Sequence, residues 1–231
     1  MINLLKAEFY KLFHSPSFWG LALCAFFLSS LMLLDSLNQT GSLFCASLYN
    51  TPILYFFTIL FCTLFVGEDL DARTLSGFVS AGQGRGTVLF AKLLVYQAGG
   101  VLLLGAPLAV HGLAGLLLLH GVIPAPAVLL TDGAVLLSAL VAMGMLPLCC
   151  AFAFRDVGRT LVAPMLLYFM MIFLLNGDMA QLFSVILPIG QLRLLSLQAL
   201  PHPATAVGIN LLWIAALYGG AVGAFCRADL K

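Results

Sequence analysis

The chain has 231 residues, 62% of them hydrophobic and only 8% charged, with a formal net charge of +1. Soluble domains carry about 25% charged residues, so a water-soluble fold this apolar would lack the polar surface to cover itself, and the mean hydropathy of +1.11 points the same way. No basic run and no basic patch with interleaved aromatics is present, so no nucleic-acid partner is expected, and the lipid bilayer is.

Residues 1–16 are too polar to span. On a 100° wheel Met1, Ile2, Leu5, Phe9, Leu12 and Phe13 share one face, while Asn3, Glu8, Lys11 and His14 lie elsewhere. This predicts a short amphipathic helix lying in the membrane interface. Ser15 and Pro16 then mark a break, because serine caps a helix and proline suits its first turn. Lys6 and Lys11 ahead of an apolar run have the look of a secretory signal. However, Leu23 is too large to precede Cys24 at a lipoprotein cleavage site, and no A-x-A site follows. The run is therefore read as a retained first span over residues 18–34, with Trp19 near the interface.

A polar loop is expected over 35–50 and a second span over 52–67, ending at Glu68, Asp69 and Asp71. Residues 68–86 form the longest polar stretch, with Arg73 and Arg85. The third span is expected over 88–119, with Lys92 one turn inside and snorkelling to the interface. That run is too long for one straight crossing, and Pro107, His111 and Gly112 are expected to kink or divide it. Pro124 and Pro126 mark a loop before a fourth span over 127–154, and Arg155, Asp156 and Arg159 a short charged loop before a fifth over 161–175. Residues 176–203, interrupted by Pro188, Pro201 and Pro203, are expected to form an outer connection with a re-entrant or interfacial helix. A sixth span over 204–225 is followed by Arg227, Asp229 and Lys231. The whole chain, 1–231, reads as a single all-α transmembrane domain of about six helices.

Placing the N-terminus inside puts Lys6, Lys11, Arg73, Arg85, Lys92, Arg155, Arg159, Arg227 and Lys231 on the inner side and only Arg193 outside. The positive-inside rule then favours a multi-pass protein of the cell membrane with both termini cytoplasmic.

Little here points to catalysis or cofactor binding. Gly82, Gly84 and Gly86 lack the following lysine and the preceding strand of a phosphate-binding loop. Asp132 and Asp178 fall near span ends, so no charge is expected near the membrane midplane, which argues against an ion-coupled carrier. His111 and His120, with Asp132 beyond, lack a clustered nucleophile or a zinc-binding spacing, and read as satisfied or exposed side chains. The cysteines Cys24, Cys45, Cys62, Cys149, Cys150 and Cys226 are scattered through apolar stretches and read as small apolar filler. Gly219 and Gly223 form a G-x-x-x-G on the sixth span, suited to close helix contact either within the subunit or between subunits.

One constellation is more specific. Glu8, Lys11 and Leu12 precede the first span. Glu68 follows the second, and Thr74, Leu75, Arg85 and Lys92 come after it. This resembles the six-span permease subunits of type 2 ABC exporters, including small bacterial permeases linked to bacitracin or lantibiotic resistance. Their pattern is E-x-x-K-l before span one, then an acidic residue, "g-T-l", and a later "s-R…K" after span two. Ala72 and Arg73 replace the commoner residues before the threonine, and Gly84 stands where serine is frequent. The resemblance implies a transport subunit that is not itself an enzyme and holds no cofactor, ATP being bound by a separate ABC ATPase. It also implies pairing with a second permease copy or paralogue. The inner loop would carry the coupling element, with Glu68, Arg73, Thr74 and Arg85 in it. A peptide, drug or lipid-like molecule would be moved by alternating access. The other reading is a non-transport membrane protein, such as an immunity or assembly factor, acting by binding.

Overall fold

A computed structural model describes residues 2–119 and 125–226. The sequence readings on Met1, His120, Pro124, Arg227, Asp229 and Lys231 lie outside the described residues. The described chain is all-α. Six helical stretches are long and apolar enough to cross a membrane: Pro16–Asn38, Leu43–Asp71, Arg85–Leu118, Pro126–Phe154, Val157–Leu175 and Pro203–Cys226. Their number and composition make this a multi-pass membrane protein.

The helices run α1 (Ile2–His14), α2 (Pro16–Thr40), α3 (Leu43–Cys62), α4 (Glu68–Asp71), α5 (Thr74–Ser80), α6 (Arg85–Leu118), α7 (Pro126–Phe154), α8 (Val157–Leu175), α9 (Ala180–Ile186), α10 (Pro188–Ser196) and α11 (Pro203–Cys226). The break after α1 is as expected, with Ser15 extended and Pro16 opening α2. The polar loop expected over 35–50 is instead almost wholly helical. α2 continues to Thr40 and closes on Gly41 at φ 69°, and Ser42 caps α3 by accepting from the Cys45 amide. The polar residues there serve helix-to-helix contact, since Asn50 donates to Ser36 Oγ at 2.9 Å. The third span is not divided either. α6 runs for 34 residues through Pro107, about 51 Å at 1.5 Å per residue against a hydrocarbon core of about 30 Å.

α3 and α7 form the centre of the bundle. In each, 67% of the most apolar window is buried, against 17–28% in the other four crossing helices. α2, α6 and α10 pack on α3, while α11, α8, α6 and α10 pack on α7. The connection between α8 and α11 is not a surface loop. α10 is inserted against α3 and α7 with Ile189, Gly190, Gln191 and Leu192 all buried. A Cβ on Gly190 would lie 2.5 Å from Ser184 Cα, so glycine is what lets α10 fold tightly against α9. Asn210 of α11 ties this hairpin to the bundle by donating to Gln191 Oε1 at 2.8 Å and Ser138 Oγ at 3.0 Å.

Six crossings bring α1 and the end of α11 to one face, called here the terminal face. At that face α3 passes through a π-helical turn, Thr63–Gly67, into α4. Arg73, left-handed at φ 57°, turns the chain from α4 into α5, and Gly82 at φ 90° turns it from α5 towards α6.

Candidate functional site at the terminal face

Three helices each carry a buried stripe at i, i+4, i+8, and each stripe holds one charged residue: Leu4, Glu8 and Leu12 on α1; Phe61, Phe65 and Asp69 on α3 and its continuation; Val88, Lys92 and Tyr96 on α6. The stripes converge. Lys92 is fully buried and donates to Glu8 Oε2 at 2.7 Å and to Asp69 Oδ2. The other Asp69 oxygen accepts from Lys11 Nζ at 2.5 Å. Two ammonium groups and two carboxylates thus form a neutral chain. An aromatic floor lies beneath it: Lys92 Nζ sits 4.1 Å from the centroid of the Phe65 ring, within cation–π reach, and Phe65 stacks on Phe61 and Phe61 on Tyr96. Gly99 makes the close approach of α6 possible, because a Cβ there would lie 2.6 Å from the Phe61 ring.

This revises the expectation for Lys92, which does not snorkel. The cluster lies near one end of the crossing segments. The face by which α1 packs is the one carrying Leu4, Glu8 and Leu12, while Ile2 and Phe13 are exposed.

The residues assigned to the coupling loop lie just outside this cluster. Glu68, Arg73 and Thr74 are exposed. α5 is held to the core by Leu75, which is buried, with Phe78 and Val79 partly so. Arg85 is half-buried and donates to the Cys226 carbonyl at 3.0 Å, and Arg155, at the end of α7, donates to the Ala224 carbonyl at 3.0 Å. Two arginines from different connections therefore reach backbone carbonyls at the last described turn of α11. Together these contacts draw the terminal-face ends of α3, α6, α7 and α11, with α1, into one junction. Asp69 was not singled out by sequence reasoning, which took Glu68 as the first acid after the apolar run. The i+4 spacing from Phe61 and Phe65 is the signal that separates the two.

A second polar cluster lies towards the opposite face. His111 is buried between Ser47 Oγ, 3.0 Å from Nδ1, and Ser30 Oγ, 3.1 Å from Nε2, with Ser29 Oγ 3.3 Å from Ser47. Ser30 gives its own hydrogen to the Phe26 carbonyl. It must therefore accept from Nε2–H, so that Ser47 donates to Nδ1 and Ser29 to Ser47. His111 is thus a satisfied side chain. Asp132, near the start of α7, is half-exposed and Asp178 exposed. Among the described residues no three His, Cys, Asp or Glu side chains gather as metal ligands, and all six cysteines are free. An added Cβ on Gly219 or Gly223 would meet nothing within 4 Å, so this pair serves no close helix contact within the described chain.

No protein-family model matches the chain, and no curated protein matches it significantly.

Proposed function

We propose that the chain is the transmembrane permease subunit of an ATP-driven type 2 ABC exporter. A separate ATPase would dock on the terminal face, which is taken as cytoplasmic from its basic residues. The observation that supports this best is the convergence of Glu8, Lys11 and Lys92. These three residues belong to the two sequence patterns that resemble such permeases, and they meet around Asp69 directly behind the exposed segment Glu68, Arg73 and Thr74. A push on α5 would reach α3, α6 and α1 through one ion-paired junction and move them as a body, the kind of rigid tilt that alternating access requires. The energy would come from ATP bound elsewhere. The cargo would be a peptide, drug or lipid-like molecule, and a second permease copy or paralogue would complete the pathway across the cell membrane.

The test is co-expression with candidate ABC ATPases from the same genome, capture through a tag on this chain, and measurement of ATP hydrolysis in nanodiscs. The expected result is a stable complex whose hydrolysis falls on the double charge reversal E68K/R73E, while the permease stays monodisperse. A chain that captures no ATPase, or a cysteine at position 77 that is labelled only from outside the cell, would overturn the proposal. The first outcome would leave a binding role, such as immunity or assembly, as the reading to pursue.

A further inference from the structure

The π-helical turn Thr63–Gly67 lies immediately before the acids Glu68 and Asp69. In a regular α-helix the Glu68 amide would reach the Leu64 carbonyl, four residues back. Here it reaches the Thr63 carbonyl, five residues back, so the turn holds one residue more than an α-turn. That extra residue decides which acid faces the lysines. With it, Asp69 is buried against Lys11 and Lys92, and Glu68 is exposed. Without it, and with α3 fixed, every residue after the turn would occupy the place its successor holds now. Glu68 would then stand where Asp69 stands.

We propose that the π turn is a one-residue register switch: the segment after Gly67 slides, and Glu68 replaces Asp69 as the carboxylate between Lys11 and Lys92. The displacement is about 1.5 Å along the helix and about 100° around it, one residue of an α-helix. Two consecutive carboxylates keep the cluster neutral in either register. Lys92 is held throughout by Glu8, which lies on α1 and does not move with the segment. The chain has slack downstream. Arg73 turns it left-handed at φ 57°, and residues 81–84, between α5 and α6, are all exposed and include Gly82 and Gly84. The present register is favoured because the other sacrifices packing. Asp69 would enter the buried place of Leu70, Leu70 would move to the exposed place of Asp71, and Val66 would replace Gly67 against the Thr160 side chain. α1, α3 and α6 keep their arrangement in both registers, while α4 rotates. The switch stands whether or not the chain is a permease, and its test needs no ATPase.

The test is a pair of double-mutant cycles, read as thermal unfolding midpoints of the purified full chain in detergent. Asp69→Asn tips the balance towards the second register, because it removes the charge that the shift would bury and leaves Glu68 as the acid the lysines can recruit. Glu68→Gln alone should leave the midpoint in place, since Glu68 is exposed. Added to Asp69→Asn, it should lower the midpoint further, because Glu68 has by then taken the buried place. That extra loss should persist at high salt, as buried pairs are screened little. Deleting Leu64, half-exposed within the turn, closes it to an α-turn with Asp69 still facing the lysines and no residue left to give up. Glu68→Gln should then be silent in both backgrounds, and Asp69→Asn should cost more than in the undeleted chain. The proposal is overturned if Glu68→Gln adds nothing to Asp69→Asn in the undeleted chain, or adds a loss that vanishes at high salt or survives the deletion. If the deleted chain does not fold, the cycle in the undeleted chain at two salt concentrations decides alone.

Discussion

The bundle contains two buried polar clusters built on opposite principles. At the terminal face Glu8, Asp69, Lys11 and Lys92 carry full charges that cancel only when all are present. Towards the other face Ser29, Ser30, Ser47 and His111 form a neutral hydrogen-bonded chain in which each member donates once. Removing the buried Lys92 from the first leaves an uncompensated charge in a low-dielectric interior; removing a member of the second leaves an unfilled hydroxyl. The first penalty is several times the second. The charged cluster therefore specifies one arrangement of α1, α3 and α6, whereas the neutral one tolerates adjustment.

The sharpest way to break the comparison is Lys92→Met. It keeps the length of the side chain, strands Glu8 and leaves Asp69 only the half-exposed Lys11, and should destabilise by about 3–5 kcal/mol, read as a lower midpoint in thermal unfolding in detergent. The triple change E8Q/D69N/K92M removes the charges together and should recover much of the loss. If the single and triple variants unfold alike, the cluster is not a coupled unit.

Next in size is Asp69→Asn, set beside Glu68→Gln. Asp69 bridges both lysines, so its neutralisation should cost about 1.5–3 kcal/mol, the range for a charged hydrogen bond. Glu68 is exposed, and its neutralisation should leave the unfolding midpoint within experimental error. Equal effects at the two positions would mean that the acidic end of the second crossing segment acts only through its overall charge.

This pair also shows how far the sequence could be read. The six crossings and the break at Ser15–Pro16 follow from apolar run length and cap chemistry, both local properties. Asp69 over Glu68, and Lys92 buried over Lys92 snorkelling, depend on which helix stands opposite. A single charge in an apolar stripe looks the same whether it reaches for water or for a partner 84 positions away. The helical 35–50 segment was hidden for a related reason. Its Ser36 and Asn50 look like loop residues until each is seen to satisfy the other across two helices. The insertion of α10 depends on Gly190 meeting the backbone of α9, a contact with no periodic trace in the sequence.

The neutral cluster gives the third expectation. His111→Ala removes the bonds to Ser30 and Ser47, but Ser30 keeps Phe26 and Ser47 keeps Ser29. Interhelical hydrogen bonds inside membranes average about 0.6 kcal/mol and reach about 1.7, so the loss should lie in that range and well below that of Lys92→Met. A larger loss would mean that this cluster, too, is held by more than hydrogen bonds.

Lys11→Met should have the smallest effect, although it removes an ion pair of 2.5 Å to the same carboxylate that Lys92 holds. The Lys11 side chain is 46% exposed and that of Lys92 0%. Water already screens Lys11, and Asp69 keeps its buried partner when Lys11 is gone, so the cost should be about 0–1 kcal/mol and should shrink further in high salt. The Lys92→Met penalty should hold at the same salt concentration, because buried pairs are screened far less. Unfolding midpoints of the two variants at low and high salt therefore separate a closed junction from an open one. If both penalties shrank together, water would have entered the cluster, and α1 would not be locked to α3 and α6 as the geometry requires.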